Sequence, residues 1–297
     1  MNMAVVDANA LGYMAHYSTS QMNRSDGTPV GIIWGFFNQL KTIVEQTECV
    51  HLVFAWDSQE SERKKLFPQY KEGRAAKREE DPTIYDSFFQ FDELYNDILP
   101  QLGFVNNFKF AGFEGDDLMA QVCDQYAGEH KITLVSNDQD LYQLLGRHVQ
   151  MYKPTKGEMY TASMFRNEFG GLCPAKWVHV KAIGGCSGDG VPGIRGVGVK
   201  TCVKYLMDNT NTAKIDTPEG KAILKRNWPL VCLPFDGTPS MELSFPKMNY
   251  QLWKEFCMEY EFQKFLKQAD FWKGLFAYEP PLGYFSAPKQ KHRAWSR

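Results

Sequence analysis

Eight acidic residues in five separate stretches of the chain have the types and grouping that suit metal chemistry. They are Asp7, Asp57, Glu114, Asp116, Asp117, Asp138, Asp140 and Asp189. Like charges brought into one cleft repel each other, so such a group requires a cation, and hard carboxylate oxygens in this number suit Mg²⁺ or Mn²⁺. Two such ions about 4 Å apart can activate a water and stabilise the leaving oxygen of a phosphodiester. The acids therefore predict metal-dependent phosphodiester hydrolysis.

Each acidic motif also has a purely structural interpretation. Glu114 or Asp116 could cap a helix predicted over Asp117 to Tyr126, because acids are favoured at helix N-termini. Asn137 or Asp138 could likewise cap a helix that starts near Asp140, and a single aspartate at a strand end is often only a turn former. The joint pattern of five stretches, not any one of them, favours the metal site.

Short apolar runs precede the acids and indicate the elements that must position them. The runs are Met3 to Val6 before Asp7, Val50 to Trp56 before Asp57, and Lys131 to Val135 before Asp138 and Asp140. An amphipathic helical stretch, Val30 to Thr47, lies between the first two. Strands that alternate with helices predict an α/β fold with a mostly parallel central sheet flanked by helices. Ligands bind beyond the carboxyl ends of strands in such sheets, so the acids should converge in one cleft.

A basic segment occupies residues 60–80. Between Glu62 and Arg78 it holds seven basic residues against two acids, with Phe67 and Tyr70 interleaved. A connection this long and basic is typical of a functional loop, although a solvated surface helix would have a similar composition. A helix is predicted next, over Thr83 to Leu102, followed by a strand over Phe104 to Phe110.

A glycine-rich hairpin separates two predicted helices, Pro174 to Ile183 and Val199 to Met207. Seven glycines lie between Gly184 and Gly198. Glycines let backbone N–H groups approach a phosphate, the following helix N-terminus favours an anion, and Lys200 adds a charge. Such contacts would bind a nucleic-acid backbone and not its bases. The alternative is a glycine-rich turn between two packed helices.

The overall charge conceals this pattern. The formal net charge is −2, but setting aside the eight candidate site acids leaves 27 acidic against 33 basic residues, a surplus that suits a phosphate backbone. Seven scattered cysteines without a C-x-x-C pair predict reduced thiols in a cytoplasmic protein. Neither a signal peptide nor an apolar run of about 18 residues is present, so no membrane contact is expected.

Six motifs in order resemble the 5′ nuclease family, which includes flap endonucleases, phage 5′ exonucleases and the 5′ nuclease domain of bacterial DNA polymerase I. The match runs from Val5 to about Leu206. The motifs are V-V-D-A-N-A-L at Asp7, F-A-W-D at Asp57, P-Q-Y-K-E-G-R from Pro68, F-E-G-D-D from Phe113, V-S-N-D-Q-D from Val135, and S-G-D-G-V-P-G-I-R-G-V-G-V-K-T from Ser187. The compact chain is most similar to a stand-alone phage enzyme.

The resemblance implies a role for each acid. The ligands of a first metal would be Asp7, Asp57, Glu114 and Asp116, and those of a second Asp138, Asp140 and Asp189. Asp117 would be an outer acid near the metals. The basic segment would be a helical arch that admits a free 5′ end, in which Tyr70, Lys71 and Arg74 contact the substrate. Lys71, Arg74 and Asp138 would act in catalysis.

The hairpin region, residues 174–207, resembles the helix–three-turn–helix that grips duplex DNA. The implied DNA contacts are Lys181, Gly196, Gly198 and Lys200, and the hairpin would also hold a K⁺ ion. One position departs from the family pattern, because Cys186 stands where the family has an aspartate ligand of the second metal. A thiol is a poor Mg²⁺ ligand, so the second site is predicted to be weakened.

The resemblance implies a PIN-like α/β nuclease domain over residues 1–170, with the arch at 60–80. A helical DNA-binding region would follow over 171–297 and end in a basic tail after Glu279. The expected protein is a monomeric 5′-3′ exonuclease or flap endonuclease acting on branched or 5′-ended DNA, or on RNA–DNA primers, together with replication proteins. In a phage it would work in the host cytoplasm. The alternatives are a catalytically weakened relative that binds branched DNA and a small α/β ribonuclease.

Overall fold

A six-stranded sheet forms the centre of the computed structural model, which describes residues 2–73, 83–208, 212–245 and 247–278. The strands are β1 (Asn2–Asp7), β2 (His51–Ala55), β3 (Asn107–Phe108), β4 (Lys131–Val135), β5 (Val149–Lys153) and β6 (Glu158–Tyr160). Their order is β3-β2-β1-β4-β5-β6, and every pairing is parallel except that of β5 with β6. The predicted fold class is confirmed.

Helices cover the sheet and extend from its end. They are α1 (Ala8–Thr19), α2 (Gly31–Thr47), α3 (Glu62–Leu66), α4 (Thr83–Glu93), α5 (Leu99–Gln101), α6 (Gly115–Tyr126), α7 (Ala162–Glu168), α8 (Trp177–Gly184), α9 (Val199–Asp208), α10 (Thr212–Ile215), α11 (Pro218–Val231), α12 (Tyr250–Glu259), α13 (Gln263–Lys267) and α14 (Ala269–Phe276). A π-helical turn, Leu94–Ile98, joins α4 to α5. A two-stranded ribbon, β7 (Gly185–Cys186) with β8 (Val191–Pro192), lies between α8 and α9.

The apolar sequence of β1 explains its central place in the sheet. Val5 lies opposite Val53 of β2 on one side and Leu134 of β4 on the other. Residues 3–6 are fully buried, as expected for a parallel strand covered on both faces. Because β1, β2 and β4 run in the same direction, the acids that follow them all lie at the same edge of the sheet.

Two hydrophobic clusters fill the faces of the sheet. One joins α1 and α2 to the C-terminal helices, where Phe37 contacts the rings of Trp253 and Trp272 at 5.0 and 6.4 Å between centroids. The other joins α6 to β4 and to the hairpin region. Both clusters draw residues from either side of position 170. The division of the chain into domains there stays a prediction.

Several predicted elements differ in extent from those observed. The strand predicted over Phe104 to Phe110 is reduced to Asn107–Phe108, and the helix predicted over Thr83 to Leu102 is interrupted by the π-helical turn Leu94–Ile98. The prediction did not include β5 or β6. The seven cysteines carry free thiols. Within the described residues, the helices are too short or too polar to cross a membrane.

Candidate active site

The first two acids lie at strand ends and are held by hydrogen bonds from backbone N–H groups and from one hydroxyl. Asp7 ends β1 and caps α1, its Oδ1 accepting the N–H of Ala10 at 2.9 Å while its Oδ2 accepts the Ser136 hydroxyl at 3.0 Å. Asp57 follows β2, and its Oδ1 accepts the N–H of Gly115 at 2.7 Å. Each carboxylate is therefore fixed in place by the elements that begin or end beside it.

The N-terminus of α6 brings two more acids to the same edge. Glu114 is the N-cap residue and is 8% exposed. Its Oε2 accepts the Tyr70 hydroxyl at 3.0 Å and the Lys71 ammonium at 2.7 Å. Asp116 lies in the first turn of α6 and lines one small cavity with Glu114, Asp138, Asp140 and Asp189. The predicted acids therefore meet, although they come from distant parts of the chain.

A 3₁₀ turn after β4, Gln139–Leu144, supplies the next pair. Asp138 caps this turn and accepts the N–H of Asp140 at 2.8 Å. An Asp140 oxygen accepts the ammonium of Lys181, from α8, at 2.5 Å. The structural interpretation of Asp138 as a cap is thus correct, and the same carboxylate also faces the cavity.

The hairpin completes the site with Asp189 and Cys186. Ligand atoms of Asp140, Cys186 and Asp189 all lie within 4.8 Å of one another. The Cys186 sulfur is 3.8 and 4.0 Å from the two Asp140 oxygens. The N–H of Lys71 donates to the Asp189 carbonyl at 2.8 Å, which ties the basic segment to the hairpin.

Burial, and after it the charges of neighbouring acids, raises the pKa values of three of these acids, whereas the charges of Lys71 and Arg63 lower the pKa of Glu114. Burial raises the pKa of Asp7 to about 7, and the charge of Asp57 adds to the effect. Burial, then the charge of Asp138, raises the pKa of Asp116 and of Asp140. Burial and the Asp140 charge raise the pKa of the Cys186 thiol to about 12. Against the seven carboxylates, the described contacts place the ammonium groups of Lys71 and Lys181 and the Arg63 guanidinium, which is 3.6 Å from Glu114. The remaining negative charge suits one or two divalent cations.

Asp117 belongs to a different arrangement, whose partner the sequence did not indicate. The Arg63 guanidinium donates to both Asp117 oxygens, at 2.6 and 2.7 Å, and both side chains are buried. The same oxygens accept the N–H groups of Glu114 and Phe235 at 3.1 and 2.8 Å. Both Asp117 oxygens are therefore engaged by donors behind Glu114, and its role as an outer acid stays a prediction.

The three predicted substrate contacts of the basic segment differ in where they lie relative to the acids. Tyr70 is 3% exposed and points its hydroxyl at Glu114, so its ring lies inside the protein. Lys71 faces the acids and adopts a left-handed φ of 55°. That conformation is uncommon for a residue with a side chain and recurs at functional sites. Arg74 lies outside the described residues.

The predicted contacts of the hairpin also divide. Lys181 is directed to Asp140 and not to the surface. Lys200 is exposed in the first turn of α9. Gly196 has a φ of 73°, which favours glycine, whereas a side chain at Gly198 would meet open space. A Cβ atom at Gly193 would lie 2.1 Å from the Gly184 carbonyl carbon, so glycine there permits the close backbone approach that shapes the hairpin.

Comparison with known proteins identifies the family. Residues 2–170 match the N-terminal resolvase-like domain of 5′-3′ exonucleases. A 5′-3′ exonuclease of Bacillus subtilis is 34% identical over 215 residues, which are 69% of this chain and 70% of that protein. The thermostable DNA polymerase I of Thermus thermophilus is 29% identical over 206 residues, which are 69% of this chain but 24% of the polymerase. The chain belongs to the 5′-3′ exonuclease family and is a nuclease.

A solved structure shares the fold over nearly the whole chain. The flap endonuclease of bacteriophage T5, in a complex with DNA and metal ions, aligns with a TM-score of 0.65 at 19% identity. The alignment covers 92% of this chain and 100% of the phage chain. The C-terminal helices are therefore part of a fold seen before, beyond the domain that the family match covers.

Proposed function

We propose that this protein is a divalent-metal-dependent 5′ nuclease that hydrolyses phosphodiesters near the 5′ ends of DNA, as an exonuclease or a flap endonuclease. The observation that carries the proposal is the meeting of seven carboxylates from five stretches of the chain beside Lys71. The phage T5 relative in fold was solved with DNA and metal ions, which supports the same kind of substrate here.

The acids divide into two metal sites in this proposal. The first would be held by Asp7, Asp57, Glu114 and Asp116, and the second by Asp138, Asp140 and Asp189. Mg²⁺ is the expected ion, with Mn²⁺ as a substitute, and bound ions would supply an activated water and charge stabilisation. The Ser136 hydroxyl orients Asp7, and the N–H of Gly115 orients Asp57, so neither contact depends on a bound ion.

Lys71 is the proposed phosphate-stabilising group of the basic segment. Its ammonium is 2.7 Å from Glu114 and 4.0 Å from Asp189, so it lies between acids assigned to the two metals. A fixed positive charge there favours the negative charge that develops on a phosphodiester in the transition state. Its N–H bond to the Asp189 carbonyl holds the left-handed backbone in place. Arg74 is proposed to assist it.

The hairpin region is the proposed contact for duplex DNA away from the reaction. Lys200 is exposed at the N-terminus of the ten-residue helix α9, where a phosphate is favoured by both the side chain and the helix dipole. The N–H groups near Gly196 and Gly198 would approach the same backbone, and a K⁺ ion in the hairpin would add charge. Action on RNA primers and contact with replication proteins extend this proposal.

A second candidate function follows from Cys186. A thiol in place of a carboxylate ligand weakens the second site for Mg²⁺ and favours a relative that binds branched DNA while cutting it slowly. The carboxylates favour the cleaving enzyme over the binding protein. Clustered negative charges repel one another and the anionic DNA, so they would lower the DNA affinity of a protein that only binds.

Cleavage of labelled substrates tests these alternatives. Flap, nicked-duplex, single-stranded DNA and RNA substrates are incubated with the protein and Mg²⁺, Mn²⁺ or a chelator. We expect metal-dependent release of short products from the 5′ side of flap and nicked substrates. Asp138→Asn should abolish cleavage and retain flap binding, whereas the matched variant Asp97→Asn, at an exposed position that does not line the acidic cavity, should behave as wild type.

The outcomes separate the candidates. Tight flap binding without cleavage in either metal would favour the binding protein, and preferential cleavage of RNA would favour a ribonuclease. Cleavage by Asp138→Asn within severalfold of the wild-type rate would contradict the assignment of Asp138 to the metal site.

A further inference from the structure

We infer that the Cys186 thiol is itself a ligand of the second metal site, which makes that site a mixed oxygen and sulfur site selective for thiophilic divalent ions. The inference deepens the proposed function, because it rests on the assignment of Asp140 and Asp189 to a metal. It differs from the simple view of a lost ligand, in which Cys186 leaves the site one donor short. Here the donor is present and has a different chemical preference.

The distances fit coordination of one ion by all three side chains. A Zn²⁺-like ion lies about 2.0–2.2 Å from a carboxylate oxygen and about 2.3 Å from a sulfur, so two such ligands at a tetrahedral angle are roughly 3.6 Å apart. The Cys186 sulfur is 3.8 Å from an Asp140 oxygen, and the ligand atoms of all three residues lie within 4.8 Å. Small rotations of these three side chains would bring their ligand atoms to coordination distance from one divalent ion.

The ribbon and the packing beneath it hold the sulfur in this position. Cys186 pairs with Val191 across the β7–β8 ribbon and is 7% exposed. Its neighbours in the buried cluster include Tyr70, Val178 and Ala182. The thiol nevertheless reaches the Asp140 carboxylate at the edge of that cluster and does not point only into apolar surroundings. The sulfur is therefore directed toward a carboxylate that we assign to the second metal.

Lys181 shows where positive charge is favoured in this part of the site. Its ammonium lies 2.5 Å from Asp140, and its charge also acts on Cys186. A divalent ion would take the place of this contact. On binding, the Cys186 S–H bond is replaced by a metal–sulfur bond, and the thiol proton passes to the buffer. No electron transfer is involved, so the step needs no oxidant or reductant.

Ligand type then sets the preference for the ion. Thiolate sulfur suits Zn²⁺ and Co²⁺ far better than Mg²⁺, which requires oxygen ligands in near-octahedral geometry. The second site should therefore bind Co²⁺ and Zn²⁺ tightly and Mg²⁺ weakly. Mn²⁺ should lie between them, while the all-oxygen first site follows the usual preference for hard ions.

Co²⁺ spectroscopy tests the ligand directly, apart from activity. Co²⁺ is titrated into the metal-free protein, and the near-ultraviolet charge-transfer band of a cobalt–thiolate bond is recorded. Wild type should develop the band, and Zn²⁺ should abolish it by displacement. Cys186→Ser should lack the band, whereas Cys173→Ser, which removes an exposed thiol outside the site, should retain it. Asp140→Asn should weaken Co²⁺ binding by about tenfold or more.

Activity measurements supply the second readout. Cys186→Asp should lower the Mg²⁺ concentration for half-maximal cleavage by about tenfold and weaken Zn²⁺ binding by a similar factor. A wild-type protein without the band, or a band that persists in Cys186→Ser, would overturn the inference. Because serine replaces the thiol with little change in size, the spectroscopic result holds even where Cys186→Asp fails to fold.

The two proposals fail in distinguishable ways. Mg²⁺-supported cleavage without a cobalt–thiolate band refutes Cys186 as a ligand and leaves the nuclease proposal intact. A band that depends on Cys186, in a protein that cleaves no substrate with any ion, supports the ligand and contradicts the proposed function.

Discussion

Replacement of Arg63 by methionine should be among the most destabilising single changes near the active site. The guanidinium is 3% exposed and donates to the two oxygens of a fully buried Asp117. It also donates to the carbonyl of Leu230 at 3.0 Å. Methionine keeps much of the length of the side chain but none of these donors. Asp117 would keep only the N–H groups of Glu114 and Phe235.

The contacts set the size of the expected loss. A hydrogen bond to a charged group contributes about 1.5–3 kcal/mol, and Arg63→Met removes two from one carboxylate. Removing one partner of a buried ion pair costs about 3–5 kcal/mol, in agreement with that sum. We therefore expect the free energy of unfolding to fall by about 4 kcal/mol. Cleavage should also slow, because Asp117 accepts the N–H of Glu114, which we assign to the first metal site.

Urea unfolding measured by fluorescence gives the free energy of unfolding directly. The control is Arg166→Met, which removes an exposed arginine from α7 and should change stability by under about 0.5 kcal/mol. Combining Arg63→Met with Asp117→Asn should recover part of the loss, since it removes the unpaired charge. A loss for Arg63→Met below about 1 kcal/mol, or no recovery in the double variant, would refute the reasoning from a buried pair.

Three further predictions concern charge at the site. Lys71→Ala should reduce the single-turnover rate of cleavage by orders of magnitude. Lys200→Ala should mainly weaken DNA binding and lower the salt dependence of binding by about one counterion. Equal effects of the two variants on the single-turnover rate would contradict these separate roles. Lys181→Met should tighten second-site binding of Co²⁺ by about tenfold in a spectroscopic titration, because a competing cation 2.5 Å from Asp140 is removed. Because the pKa of Asp7 is raised from 3.8 to about 7 on folding, its contribution to stability is fully present below pH 3.8 and is lost as the pH rises to 7. The thermal unfolding temperature of the metal-free protein should therefore fall less steeply between pH 3.8 and 7 in Asp7→Asn than in wild type.

The placement of the acids could be predicted because local sequence determines it. An apolar run that ends in an acid places that acid at the carboxyl edge of a parallel sheet. The register of β1 with β2 and β4 then aligns the ends of these strands, so that their acids lie side by side. Asp7 and Asp57 illustrate this, since Asp7 is the last residue of β1 and Asp57 lies two residues beyond the end of β2. The contacts of their oxygens with Ser136 and Gly115 follow from the same edge.

Other features depend on contacts between distant residues and could not be predicted. Arg63 reads as one more charge in a basic segment, yet its burial is set by Asp117 and by the carbonyl of Leu230, which is far away in sequence. The sequence suggests an exposed aromatic at Tyr70, but the Tyr70 side chain is buried and its hydroxyl donates a hydrogen bond to Glu114. Composition alone does not distinguish these outcomes.

The predicted strand from Phe104 to Phe110 was too long for a similar reason. The side chain of Asn106 exchanges two hydrogen bonds with the backbone of Ser244, at 2.7 and 2.8 Å. These contacts connect Asn106 to Ser244 while its carbonyl still accepts the N–H of Phe54, and the pairing with β2 is confined to Asn107 and Phe108. By contrast, β5 and β6 had a sequence signal, because Thr155 to Gly157 separates two short apolar stretches in the manner of a hairpin turn.

The aromatic packing of the last helices has a consequence for synthesis on the ribosome. Trp253 and Trp272 fill the same cluster as Phe37, and their ring centroids are 4.0 Å apart. The strands that carry the acids leave the ribosome long before these two tryptophans do. During translation the apolar surface around Phe37 that these tryptophans cover therefore stays exposed until almost all of the described chain has emerged, which leaves the nascent nuclease prone to aggregation through that surface. Cleavage should begin only once α12 to α14 have closed the core.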